Sequence, residues 1–313
     1  MNSLLNSLSA VSVILILTGC GYVLSMLGWI RPDAKTFLSK YLMRFAVPVM
    51  CVYSLRTQLT LDLLKSSWVL LLIPALSTAF SFLLSMAIGK SMRLGPKQAS
   101  VFAVMCSVSN AIFIGYSMCL ELFGSECTPY AMIFYLCNTA YAQLVGVAMI
   151  KRSGGQSGTS FRDSVISFFR TPSILGVLAG VFLILTGLQP PALFMSCAKY
   201  INNTVTPLAL LMAGHIIWEI GLRNVRLNKL LILTMVFRFL ISPGITLLLC
   251  MLFNVSGLAK DVLIVLSAMP VLTQTVVASA EYGADEQLAA QGIAVTTLAC
   301  FIVIPVIMLL LQA

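Results

Sequence analysis

An all-α integral membrane protein, with ten transmembrane helices arranged as two inverted five-helix repeats, is the architecture this chain predicts. Three observations lead there. Of 313 residues, 59% are hydrophobic and 9% charged, whereas a soluble chain carries roughly 25% charged residues to furnish its surface. The apolar residues gather into ten runs of spanning length, about 20 residues each. Two of those runs, half a chain apart, are interrupted by polar clusters, and paired broken helices in two halves mark the binding site of a secondary transporter.

The first run, 9–30, has no basic leader and is too long for a signal-peptide core, so it reads as a retained helix. The second, 36–55, carries Lys40 and Arg44 on its inner half and then Val47-Pro48-Val49-Met50. The third, 67–89, holds Pro74. The fourth, 99–122, is broken by Cys106-Ser107-Val108-Ser109-Asn110-Ala111-Ile112, and the fifth, 129–150, carries Asn138. A Gly/Ser-rich and then faintly amphipathic stretch comes next. It divides a first repeat, 1–150, from a second, 173–313, with 151–172 as a cytoplasmic linker.

The sixth run, 173–189, contains Gly176 and Gly180, a close-packing spacing that is frequent in membrane helices. The seventh, 193–218, contains Thr206-Pro207-Leu208, and the eighth, 229–253, contains Arg238 and Pro243. The ninth, 259–282, is broken by Met269-Pro270-Val271-Leu272-Thr273-Gln274-Thr275, and the tenth is 287–312. Asn110 and Pro270 are 160 positions apart, Pro48 and Pro207 159, and Pro74 and Pro243 169. Three similar offsets favour a repeat over the ordinary abundance of proline in membrane helices.

Basic residues set the orientation. With both termini outside, the inner loops hold Arg31, Lys35, Lys90, Arg93, Lys97, Lys151, Arg152, Arg162, Arg170, Arg223, Arg226 and Lys229. The outer loops hold only Arg56, Lys65 and Lys260. Five helices per half is an odd number, so the second half enters the membrane inverted. The net charge of +9 is therefore a topology signal, and no nucleic-acid partner is expected. The nine cysteines show no metal-ligand or disulfide spacing. All three tryptophans, Trp29, Trp68 and Trp218, fall at helix ends, as an aromatic belt requires. The acidic loop around Glu281, Asp285 and Glu286 is a local exception.

Backbone groups freed at membrane depth cost several kcal/mol each unless protein or a watery cavity satisfies them. A half-helix that begins there points unpaired N–H groups and about +0.5 of a charge at the gap, and two such ends suit a carboxylate. Asn110 and Gln274 can hydrogen-bond a ligand or freed backbone, and Ser107, Ser109, Thr273 and Thr275 offer hydroxyls that can equally bond their own helices. Pro270 shapes the break, and Asn138 can face the same cavity. Arg238, nine residues into its run, reads as attracting an anion or pairing with a helix end, and equally as forming an internal ion pair or snorkelling. Lys40 and Arg44 read first as snorkelling residues, with a vestibule role second. His215, beside Trp218, reads as interfacial before it reads as a proton carrier. No phosphate-cradling loop or nucleophile triad points to an enzyme.

The stretch SNAIFIGYSMCLELFGSECTPYAMIFYLCNTA (109–140) resembles the fourth and fifth helices of the auxin efflux carrier family. MPVLTQTVVASAEYGADEQLAAQGIAVTTLACFIVIP (269–305) resembles that family's last two, and VPVM (47–50) and TPLALLMAG (206–214) its second and seventh. The resemblance implies helices 4 and 9 crossing near the membrane centre, in a bundle that moves against a scaffold of helices 1, 2, 6 and 7. It also implies secondary transport of an organic anion, malate- or malonate-like as in bacterial members, across the plasma membrane (the inner membrane of a bacterium). No cofactor is expected beyond a coupling ion, H+ or Na+. The partners are the anion and the bilayer, and a homodimer is allowed. Two departures bear on the substrate: Gly115-Tyr116-Ser117 replaces Gly-x-Pro, and Gln274 stands where relatives often have Asn. Alternatives are a bile-acid or arsenite-type carrier, for which the thiol of Cys106 is the pointer, and a membrane sensor.

Overall fold

The structure, a computed structural model, describes residues 2–155, 161–221 and 227–312, and all its regular elements there are helical. Arg223 and Arg226, counted above as inner-loop charges, lie outside the described residues. In chain order the α-helices are α1 (Asn2–Met26), α2 (Pro32–Tyr41), α3 (Val47–Gln58), α4 (Leu61–Ser91), α5 (Pro96–Ser107), α6 (Ser117–Phe123), α7 (Thr128–Tyr141) and α8 (Val147–Ser153). The chain continues through α9 (Phe161–Arg170), α10 (Pro172–Thr186), α11 (Ala192–Ile220), α12 (Lys229–Val236) and α13 (Ser242–Leu252). It ends with α14 (Gly257–Ser267), α15 (Gln274–Tyr282) and α16 (Glu286–Gln312).

Among the described residues four continuous stretches are long and apolar enough to cross a bilayer, at 68–91, 125–153, 229–252 and 286–311. They coincide with the third, fifth, eighth and tenth expected runs. The pair α9 and α10, bent by 69°, makes a fifth if it is taken as one span. The fourth and ninth runs are broken where the polar clusters stand, between α5 and residue 111 and between α14 and α15. The faintly amphipathic part of the linker is a formed helix, α9, packed against α10 and residues 142–146.

Among the described residues four wide, π-helical turns open or join α-helical segments, at Leu42–Ala46, Ala111–Tyr116, Ala142–Gly146 and Phe237–Ile241. Two of them have a direct cause. Proline lacks an N–H and its ring clashes with the carbonyl four residues back. Pro48 and Pro243 each follow a wide turn by two residues, so the looser lap takes up the clash.

The helices pack in two groups, which also touch where α1 meets α6 and α16 and where α3 meets α7. In one, α1 lies along α11, α3 lies along α10, and α11 closes against α3. In the other, α4 packs on α5, α7 and α13, α14 on α13 and α7, and α16 on α12, α15 and α5. Small residues set the first group's spacing, because dispersion between closely approached backbones drives helix association in lipid. Gly21 and Gly214 face the α1–α11 seam, where a Cβ on Gly214 would fall on the Thr18 carbonyl and 2.7 Å from the Tyr22 nitrogen. Gly176 does the same for α10 against α3, with Pro48 carbonyl and Cα atoms 2.5 and 2.8 Å from the Cβ position. The Gly176/Gly180 spacing is thus a real packing stripe.

A paired substitution tests this seam. Gly214→Ala forces the helices apart and should destabilise by about 1–3 kcal/mol, the usual range for overpacking, seen as a lower melting temperature in detergent. Gly19→Ala, two residues from Gly21 but with nothing within 4 Å of its Cβ position, should melt at or above the wild-type temperature. Equal behaviour of the two would rule out a backbone contact at Gly214.

Candidate functional site

The site begins where α5 stops. Val108 is extended (φ −105°, ψ 130°) and Asn110 turns the chain (φ −77°, ψ 66°) before the helix resumes at Ala111. With the Ala111 N–H donating to the Ser109 carbonyl at 2.9 Å, Asn110 is the centre of an inverse γ-turn. The second break runs between Ser267 and Gln274. The two opened backbones meet: Ser109 and Val271 pair in antiparallel register, and the Asn110 N–H donates to the Pro270 carbonyl at 2.8 Å. Proline suits this strand, since its missing N–H is one group fewer to satisfy.

Side chains complete the pairing on either flank. The Asn138 amide, from α7, accepts from the Ser109 N–H at 3.0 Å and donates to the Ser109 carbonyl at 2.8 Å. It works as a one-residue neighbouring strand. The Thr296 hydroxyl, from α16, accepts from the Val271 N–H at 3.1 Å.

The carbonyl ends of the breaks converge on Arg238, which is 1% exposed. Its Nε and Nη2 donate to Met269 O at 2.8 and 2.6 Å, Nη2 also to Ser267 O at 2.8 Å, and Nη1 to Cys106 O at 3.4 Å. One guanidinium therefore spans the last carbonyls of both α5 and α14. The wide turn at Phe237–Ile241 carries it. Ser107 is on this side as well, its hydroxyl donating back to Ala103 O at 2.7 Å.

The amide ends of the breaks open the other way. A cavity of about 40 Å³ is lined by Asn110, Ala111, Asn138, Gln143, Thr273 and Gln274, among others. It adjoins a vestibule of about 580 Å³ through the shared residues Met43, Phe113, Gln143, Thr273 and Gln274. Asn110 Nδ2 donates to Thr273 Oγ1 at 3.1 Å, which ties the two half-helix starts together. Lys40 lines the vestibule, as do Lys35 and Glu219, which form an ion pair at 2.5 Å. Among the described residues Lys40, Gln143 and Gln274 have no protein partner for their polar ends.

The expected site residues thus fall into three places. Asn110, Thr273, Gln274 and Asn138 border the small cavity. Arg238 and Ser107 lie behind the crossing, with Ser109 and Pro270 within it. Thr275 is buried with its hydroxyl unpartnered among the described residues and lines neither cavity. Cys106 is fully buried beside Phe102 and Phe237 and also lines neither. His215 is buried in the α1–α11 seam, its Nδ1 2.9 Å from Ser25 Oγ. Sequence reasoning passed over Gln143, although a lone amide inside an apolar run was a visible signal. It also ranked Lys40 first as a snorkelling residue.

The chain matches the family described as membrane transport protein over residues 7–308. It is 24% identical over 302 residues to an uncharacterized transporter of Methanocaldococcus jannaschii, covering 95% of this chain and 96% of that one. It is also 24% identical over 304 residues to an uncharacterized transporter of Methanothermobacter thermautotrophicus, with 96% and 97% covered.

Melting of two variants checks the crossing. Asn138→Leu strands a buried N–H and a buried carbonyl on Ser109, which should destabilise by about 1–3 kcal/mol per group. Ser107→Ala removes a hydroxyl that bonds only its own helix and should melt close to wild type. An Asn138→Leu protein as stable as wild type would show that the amide does not hold the break.

Proposed function

The chain belongs to the membrane transport protein family, the auxin efflux carrier family, and we propose that it moves a small organic anion across the membrane by alternating access. The observation that carries this reading is the position of the vestibule. One wall is Lys35, Lys40, Met43, Met212, Ile216 and Glu219, from the helix group of α1, α3, α10 and α11 with the adjoining α2. The other wall, from the second group and the broken helices, includes Gln143, Gln274 and Tyr282. A cavity between two groups of helices opens and closes as one moves on the other.

The chemistry fits an anion. Two half-helices start at Ala111 and Gln274 beside the small cavity, and each contributes about half a positive charge at its amide end. Asn110, Gln143 and Gln274 supply neutral donors, and Lys40 supplies attraction on the way in. A carboxylate of the malate or malonate type is the substrate class proposed. Cys106 is walled off from both cavities, which counts against the arsenite alternative.

We further propose that the ten runs form two inverted repeats, 1–150 and 173–313, joined by 151–172. The helix pairing supports this. Exchanging each helix of the first half with its partner in the second turns the α1–α11 seam into the α3–α10 seam. It likewise turns the Asn138 prop under Ser109 into the Thr296 prop under Val271. With both termini outside, the vestibule faces the cytoplasm of the plasma membrane.

Uptake of radiolabelled malate and malonate into proteoliposomes tests the reading. Wild type should accumulate at least one of them above protein-free vesicles. Asn110→Ala and Gln274→Ala should each lower the rate tenfold or more, and Lys40→Ala should lower it most at low ionic strength, where attraction is least screened. Undiminished uptake in folded Asn110→Ala and Gln274→Ala proteins would move the site elsewhere.

A further inference from the structure

We infer that Arg238 is a built-in cation, held where the carbonyl ends of two broken helices would otherwise take a metal ion, and that this carrier runs without Na+ bound at the crossing. The inference rests on the carrier reading above and adds how the site is charged. In carriers with broken helices, unwound carbonyls and half-helix C-termini are what coordinate a coupling cation. Here those carbonyls have another partner. Cys106, Ser267 and Met269 all accept from one guanidinium.

Charge balance explains the choice of residue. Each half-helix C-terminus carries about −0.5 of a charge, so α5 and α14 together offer about −1 to a group lying between them. Arg238 supplies the matching +1. It has no carboxylate partner, the ion pairs among the described residues being Lys35–Glu219 and Lys260–Asp261. A buried cation is otherwise expensive, so the two C-termini are what hold it charged.

A second cation here would lie against the guanidinium with no carboxylate among the described residues to offset it. The pocket beside the guanidinium is about 10 Å³ and is walled by Ser77, Ser81, Ser107, Ser242 and Ser267, which is room for about one water molecule. Its hydroxyls are engaged with one another or with helix carbonyls: Ser81 Oγ lies 3.1 Å from Ser242 Oγ, and Ser77 Oγ lies 2.8 Å from Thr246 Oγ1. The flat fork of arginine also matters. Nε and both Nη groups reach three carbonyls on two chain segments, which the single ammonium of lysine cannot do.

The experiment compares melting of the purified protein in NaCl and in choline chloride at equal ionic strength. Wild type should melt at the same temperature in both. Arg238→Ala should melt several degrees lower and regain most of that loss in millimolar guanidinium chloride, with choline chloride giving none. Arg238→Lys, which keeps the charge, should fold and still melt below wild type. In proteoliposomes, wild-type malate or malonate uptake should be equal with inward Na+ and choline gradients, and at least tenfold lower for Arg238→Lys.

A melting temperature of wild type that rises with Na+ alone would overturn the inference. So would uptake that needs a Na+ gradient, or an Arg238→Ala protein with wild-type stability and uptake. Should Arg238→Ala not fold at all, the wild-type and Arg238→Lys measurements still decide. A wild type that moves neither acid, yet melts without regard to Na+ and is weakened at Arg238, would sink the substrate reading and leave the built-in cation standing.

Discussion

Breaking a helix inside an apolar protein frees carbonyl and N–H groups, and every one of them needs a partner. Much of this molecule's interior answers to that constraint. The two breaks meet because each supplies part of what the other lacks: Asn110 donates to Pro270, and Ser109 runs beside Val271. What the strands leave open is closed by side chains from three further helices, Asn138, Thr296 and Arg238. Each of these is buried and lies at a depth where a bare apolar helix would be simpler to build. They are present because the breaks are present.

The crossing is polarised as a result. Its carbonyl face is sealed by a guanidinium and a shell of serines, and its amide face looks into a cavity that leads to the vestibule. The same helix dipoles act on both faces. On one they hold a permanent cation, and on the other they leave about one positive charge for something that enters and leaves. The anion site proposed here needs no arginine at the ligand itself, an arrangement suited to release. The positioning role proposed for Arg238 and the donor roles proposed for Asn110 and Gln274 are therefore two halves of one arrangement.

Much of this could be read in the sequence. The break positions were, because polar clusters inside spanning runs have no simpler use, and Asn110 and Gln274 came with them. Arg238 was also visible as a charge deep in a run, with pairing to a helix end among its readings. What the carbonyls around it would be could not be read, since Cys106, Ser267 and Met269 come from segments far apart in the chain. Asn138 looked like a cavity amide, and it borders the cavity, but its hydrogen bonds go to Ser109. That pairing depends on the facing backbone, which no local pattern encodes. Gln143 was a visible amide in an apolar run, but its place at the cavity depends on a wide turn that no local pattern announces. Gly176 and Gly180 had the right spacing for a packing stripe, but only the neighbouring α3 backbone gives that spacing meaning.

The wide turns have a consequence for how such a protein varies over generations. Met43, Phe113, Gln143 and Arg238 each lie in one of the four, so every wide turn carries a residue of the cavity or of the crossing. A π-helical lap holds one residue more than an α-helical one. Losing that residue tightens the lap to an ordinary α-helical turn and leaves the segments on either side in register. Losing one from a regular helix rotates all that follows by roughly 100°, at 3.6 residues per turn. In a regular packed helix such a deletion scrambles every contact downstream. At a wide turn the slack is already there to absorb it. Single-codon insertions and deletions at these four points would let descendants exchange the residue shown to a passing solute while keeping the spans that carry it.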